Sequence, residues 1–161
     1  NEEDDPSVNS NLGCWRGHRK YPQWPAIAEH AIKLLKEVHR HYINNQVSCV
    51  ALEQATMDDF EITHWTNIND KGSSNSIHSH SNCHWSGVYY IQGKDTGEIA
   101  FYTQPYVNKQ VIRGLPFGQS YAMEPTDGLL LLFPSYLLHE VLANPNDKER
   151  INIAFNIKIK F

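Results

Sequence analysis

The sequence has no long hydrophobic run. The longest, Leu129 to Phe133, falls far short of the ~20 apolar residues that a membrane-spanning helix needs, so no membrane partner is expected. Cysteine is scarce. Cys14, Cys49 and Cys83 are too few and too scattered for a disulfide framework or a zinc ribbon. No Asn-x-Ser/Thr acceptor occurs. A cytoplasmic setting is the resulting expectation, and the start at Asn1 rather than Met reads as trimming. Basic runs are also missing and the formal net charge is −4, which argues against nucleic acid as a partner. What is present is a soluble, globular balance of 40% hydrophobic and 20% charged residues, which excludes a wholly disordered chain. At 161 residues the chain suits one domain. Nine histidines are the unusual count, and their placement decides the argument.

Residues 1 to 14 begin Asn-Glu-Glu-Asp-Asp-Pro-Ser and read as a disordered acidic tail. A single domain is expected over 15–161. It opens with a basic, aromatic stretch from Trp15 to Trp24 that holds Arg16, His18, Arg19, Lys20 and Tyr21. Pro25 stands where a first helical turn tolerates a missing N–H. Ala28, Ala31, Ile32, Leu35, Val38 and Tyr42 then recur at helical spacing, so a helix is predicted over about 25–44. From Gln46 the period becomes two. Candidate strands are Val47–Leu52, Phe60–Ile68, Ile77–Asn82, Gly87–Ile91, Glu98–Tyr102, Ser120–Glu124, Leu129–Phe133, His139–Ala143 and Ile151–Phe161, divided by Gly-, Pro-, Asn- and Asp-rich turns. The fold predicted is mostly β, a jelly roll (double-stranded β-helix) with the N-terminal helix packed on one sheet.

The informative segment is Ile77-His78-Ser79-His80-Ser81-Asn82-Cys83-His84. In a strand, residues i and i+2 point to one side, which pairs the His78 and His80 imidazoles. A third imidazole suits a borderline transition metal. His139 supplies one, since the buried run 129–133 ends at Pro134 and the chain must turn before His139. His84 is expected to swing to the rim and stay off the metal. Farther on, alternation in Glu149-Arg150-Ile151-Asn152-Ile153-Ala154-Phe155-Asn156 puts Arg150, Asn152, Ala154 and Asn156 on one face and the apolar residues on the other. A buried Arg150 needs an anion, and its planar fork suits a carboxylate. Pairing with Glu149 or Asp147 is the alternative.

Taken in order, Trp65-Thr66-Asn67, His78-x-His80, Ser86-Gly87-Val88-Tyr89-Tyr90, Phe133-Pro134-Ser135, His139 and Glu149-Arg150-Ile-x-Ile-Ala-Phe155-Asn156 resemble the 2-oxoglutarate/Fe(II)-dependent oxygenase superfamily. The closest likeness is to a group of small oxygenases within it. The resemblance spans about residues 63 to 157. It implies a jelly roll with the active site at its open mouth and an enzyme that uses Fe(II), 2-oxoglutarate and O2, releasing succinate and CO2 as it hydroxylates or otherwise oxidises a small-molecule or peptidyl substrate. It implies His78, His80 and His139 as iron ligands. Arg150 and Tyr90 would hold the far carboxylate of 2-oxoglutarate, with Asn152 and Asn156 completing that lining. Trp65, Trp85 and Tyr102 would wall the substrate site. The sequence departs from the usual pattern at position 80, where the superfamily has an acid. The other reading open at that position keeps His80 off the metal, with water or Asn82 completing the site. A cupin enzyme with an all-histidine centre, to which His84 could contribute, and a non-catalytic jelly-roll binding module are the rival functions. Gln104–Gln119, together with Tyr102, is the expected lid or substrate loop.

Overall fold

The structure, a computed structural model, describes residues 10–42, 47–102 and 120–160. Its first helix, α1 (Trp24–Tyr42), carries Pro25 in its opening turn and buries Ile27, Ala28, Ala31, Ile32 and Leu35 along one face. A second helix, α2 (Val47–Gln54), follows. This segment reads as a strand from sequence and is helical in the structure. A short apolar run fits either period, and Leu52 is drawn into the cluster that α1 forms with Phe60, Phe155 and Ile157. Among the described residues no helix is long and apolar enough to cross a membrane.

Ten strands follow the chain as β1 (Asn11–Leu12), β2 (Trp15–Gly17), β3 (Phe60–Asn69), β4 (Ser74–His78), β5 (Trp85–Gln92), β6 (Ile99–Tyr102), β7 (Ser120–Met123), β8 (Leu130–Pro134), β9 (Leu138–Val141) and β10 (Arg150–Ile159). They form two five-stranded sheets, ordered β1-β4-β9-β6-β7 and β2-β3-β10-β5-β8, with every pairing antiparallel. The result is the mostly β jelly roll expected from the sequence. The sheets meet through Val88, Tyr90, Phe133 and Ile99, flanked by Phe101, Met123, Leu131 and Val141.

β10 sets the plan of the second sheet. Ile153, Phe155 and Ile157 are fully buried, and the last two pack against the α1 cluster. Asn152, Ala154 and Asn156 face the other way, into the space between the sheets. The register extends that inner face sideways in rows. Arg16 on β2 stands opposite Asn67, Asn67 opposite Asn152, and Asn152 opposite Tyr90. The next row is Trp65, Ala154 and Val88.

The expected tail needs a correction at its inner end. Residues 1–9 lie outside the described residues, but Asn11 and Leu12 pair with Asn75 and Ser74 of the first sheet. Three residues later β2 pairs with β3 of the second sheet, so the arm spans both layers. The expected lid, Gln104–Gln119, lies outside the described residues.

Candidate metal centre

His78 ends β4 directly opposite His139 on β9, and their ring centroids are 4.3 Å apart. His80 lies beyond the strand, so the expected i, i+2 alternation does not deliver it. Its placement comes from Ser135, whose carbonyl accepts the His80 N–H at 2.9 Å. Ser135 Oγ also donates to the Cys83 carbonyl at 2.5 Å, and its N–H donates to the His84 carbonyl at 3.2 Å. The Phe-Pro-Ser turn thus clamps the loop, which reverses through Asn82 at φ 60°. The His80 ring centroid comes within 5.2 Å of both His78 and His139. One ring nitrogen from each of the three lies within 4.8 Å of the others.

The Nδ1 atoms of all three rings are engaged. His78 Nδ1 meets the Ser76 carbonyl at 2.7 Å, His139 Nδ1 the Leu137 carbonyl at 2.9 Å, and His80 Nδ1 the Asn156 Oδ1 at 2.7 Å. Carbonyl oxygens only accept, so each Nδ1 carries the proton and each Nε2 keeps its lone pair for a metal. Burial lowers the pKa of His78 and His80 and pushes that of His139 down to about 4. The neutral form a metal requires is therefore the resident one at pH 7. Three neutral imidazoles on one side of a site are a donor set that fits Fe(II), Zn(II) or a similar ion.

The histidines open into a cavity of about 590 Å³ whose walls include Tyr90, Trp65, Asn152 and Asn156, a volume usual for a small-molecule site (~300–1,000 Å³). Asn152 accepts a 2.9 Å hydrogen bond from Asn67. Asn156, besides lining the cavity, has a second duty: its Oδ1 serves His80 and also accepts from Ser86 Oγ at 2.8 Å. Trp65 stacks beside His80, with ring centroids 5.9 Å apart.

Two expected wall residues are not in the cavity. Trp85 packs toward α1 and stands edge-on to His39, because the parity that turns Tyr90 inward on β5 turns Trp85 outward. Tyr102 pairs with Leu138, the position next to His139, so it faces the opposite side, and its hydroxyl bonds Glu140. His84 stays outside the histidine cluster. It is exposed, and its Nδ1 accepts the Ile159 N–H at 3.0 Å.

Arg150 is fully buried and is not among the residues that line the cavity. One terminal nitrogen donates to the carbonyls of Thr96 at 2.7 Å, Leu142 at 3.2 Å and Gly97 at 3.4 Å. Its Nε and its other terminal nitrogen have no hydrogen-bond partner among the described residues. No ion pair joins it to Glu149 or Asp147, whose carboxylates are exposed. Burial pushes the Tyr90 hydroxyl up to about 12, with the Arg150 charge pulling the other way. A buried guanidinium with two idle donors is costly without an anion, so the pair fits a carboxylate ligand.

Sequence reasoning missed Arg16, Asn67, Asn75, Asn11 and Ser10, all of which line the cavity. For Asn67 a signal existed, since strand alternation puts it on the same side as Trp65. For the arm there was none, because its two strands are two and three residues long.

A family model described as "Putative 2OG-Fe(II) oxygenase" matches residues 63–156. Among solved structures the chain is similar to a prolyl-4-hydroxylase from Pseudomonas putida, with a TM-score of 0.57 at 16% identity over 98% of this chain and 77% of that one. It is also similar to a prolyl hydroxylase from Trichoplax adhaerens, solved with a peptide fragment of the hypoxia inducible factor oxygen degradation domain. There the TM-score is 0.53 at 17% identity, over 96% of this chain and 66% of that one. At such identities the likeness is one of fold. No curated protein matches the chain in sequence.

Proposed function

The chain belongs to the 2OG-Fe(II) oxygenase family, and from that premise we propose that it oxidises a C–H bond of a small-molecule or peptidyl substrate at an iron held by His78, His80 and His139, consuming 2-oxoglutarate. The observation that carries the reading is the set of three Nδ1 hydrogen bonds, which leaves three Nε2 lone pairs beside one cavity. Iron, 2-oxoglutarate and O2 together supply the oxidising power, with succinate and CO2 as co-products. The protein's own residues bind and orient. Arg150 holds the far carboxylate of 2-oxoglutarate through its two idle donors, and Tyr90 adds its hydroxyl. Asn152, tied to Asn67, stands opposite Tyr90 and completes that side of the lining. Val88, Ile99 and Phe133 supply the apolar part of the lining, and a less polar surround strengthens the polar contacts made beside it.

The test is an anaerobic titration of the protein with Fe(II) and 2-oxoglutarate, read by visible absorption, followed by succinate release in air. A charge-transfer band and slow succinate release are expected of the wild type. Arg150→Ala is expected to lose 2-oxoglutarate binding while keeping the metal, and Arg150→Lys, which retains charge without the fork, to weaken it. Iron-loaded wild type that neither binds nor turns over millimolar 2-oxoglutarate overturns the reading.

A further inference from the structure

The inner face of the second sheet runs on by one row past Asn67 and Asn152. Two residues beyond the first and two before the second, Asn69 and Arg150 stand directly opposite each other on β3 and β10. Side chains so paired leave the sheet on the same face, with Cβ atoms about 5 Å apart. Neither residue lines the cavity, but Tyr90 does, and the Arg150 charge acts on the Tyr90 hydroxyl. The row therefore adjoins the cavity beside Tyr90.

Both side chains are fully buried, and both have polar atoms to spare. One terminal nitrogen of Arg150 serves three carbonyls. Its Nε and its other terminal nitrogen, and the Nδ2 and Oδ1 of Asn69, have no hydrogen-bond partner among the described residues. Elsewhere in the molecule the same two guanidinium nitrogens grip a carboxylate: Arg40 holds Glu53 through Nε and Nη2 at 3.1 and 2.8 Å. Cys14 is a further neighbour. Burial pushes its thiol up, and the Arg150 charge and the Asn69 amide pull it back. A thiol is only a weak acceptor, so it does not satisfy the amide. An idle buried polar atom carries its full desolvation penalty, and here four lie on two adjacent side chains. Three of them are donors, and an ionised carboxylate only accepts. The fourth, Asn69 Oδ1, is an acceptor, and the Cys14 thiol is a weak donor.

Building on the oxygenase reading above, we infer that Asn69 is a specificity-determining residue for the cosubstrate: its Nδ2 donates to the far carboxylate that Arg150 grips, and the pair selects a 2-oxo acid ending in carboxylate over one ending in methyl. Arg150 supplies the charge. Asn69 supplies a donor beside the fork, which rewards one placement of the two oxygens.

The experiment uses the whole chain loaded with Zn(II), which supports no turnover. Melting temperature is followed as 2-oxoglutarate or 2-oxopentanoate, its analogue with a methyl in place of the far carboxylate, is titrated in. Asn69→Leu keeps the shape and removes the donor. It weakens 2-oxoglutarate by about 10- to 100-fold, the loss of a hydrogen bond to a charged group, and leaves 2-oxopentanoate unchanged. Asn69→Asp, which brings its own carboxylate to Arg150, weakens 2-oxoglutarate further still. Without ligand, Asn69→Leu melts no lower than wild type, because an idle buried amide replaced by an apolar group of like shape loses nothing. Wild-type affinity for 2-oxoglutarate in either variant overturns the inference. So does an equal loss of both acids in Asn69→Leu, or a lower melting temperature of that variant without ligand, since either makes the amide a packing element. Wild type that shows no 2-oxoglutarate shift overturns the oxygenase reading itself, and this is read before any variant is compared.

Discussion

Three side chains at the centre of this molecule share one hydrogen-bonding device, and it separates them at the scale of the residue. His78 and His139 are held by main-chain carbonyls, whereas His80 is held by the side chain of Asn156. An acceptor behind a metal-bound imidazole fixes its tautomer and its aim, and its loss typically costs about 10- to 100-fold in metal affinity. Asn156→Leu is therefore expected to weaken Zn(II) or Fe(II) binding by that factor with all three histidines in place. Asn156→Asp, which offers a charged acceptor at the same spot, is expected to bind at least as tightly as wild type. Competition against a chromophoric chelator measures both. Equal affinity in Asn156→Leu and wild type would show that His80 does not ligate the metal.

At the scale of the element, β5 and β10 pair side by side with Gly87 opposite Phe155, and that position admits no side chain. A Cβ on Gly87 would stand 2.3 Å from the Phe155 ring and 2.6 Å from the Leu131 carbonyl. Phe155 is fully buried against α1 and cannot retreat, and Leu131 contributes backbone. Overpacking of this kind costs about 1–3 kcal/mol. Gly87→Ala is expected to lower the urea midpoint accordingly, and an unchanged midpoint would mean that the sheet and helix separate more readily than their packing implies. The same strands show what the sequence does and does not disclose. The alternation from Arg150 to Ile157 is legible because one face is uniformly apolar. The parity of β5 was available too: once Tyr90 is placed inside, Trp85 must lie outside. Val47–Leu52 was not decidable, since a short apolar run has no period of its own. Strand alternation is not what brings His80 beside His78 and His139. Its position depends on a hydrogen bond to Ser135, more than fifty residues away, and no local pattern encodes that. The pairing of β1 and β2 was invisible for the same reason, because register between distant short strands leaves no trace in either strand alone.

At the scale of the whole molecule, the imidazole cluster makes stability depend on pH in a definite direction. All three groups have folded pKa values below the ordinary histidine value near 6.5, with His139 at about 4. Between those values the unfolded chain binds more protons than the folded one, so stability rises with pH through that window. The contribution is complete above about 6.5 and is lost as pH falls toward about 4. Metal-free protein is thus expected to lose urea resistance on going from pH 7 to pH 4.5. His139→Gln, which cannot take up the proton, is expected to lose less over the same range. Identical slopes for the two proteins would show that the cluster is not held neutral by the fold. Zinc is expected to raise the midpoint at pH 7 by mass action, and to raise it less in acid, where ligand protons compete.

The unequal support behind the three histidines also bears on how the protein can change over generations. Every amino acid brings a backbone carbonyl, so no substitution at Ser76 or Leu137 deletes the acceptors that aim His78 and His139. Position 156 is different: the acceptor there exists only while the residue keeps an oxygen within reach of His80. Two of the three proposed ligands are insulated from drift by the main chain, and on that reading heritable adjustment of metal affinity is channelled through the third. A lineage adapting to scarcer iron, or to a competing metal, can move along that single coordinate without disturbing a ligand.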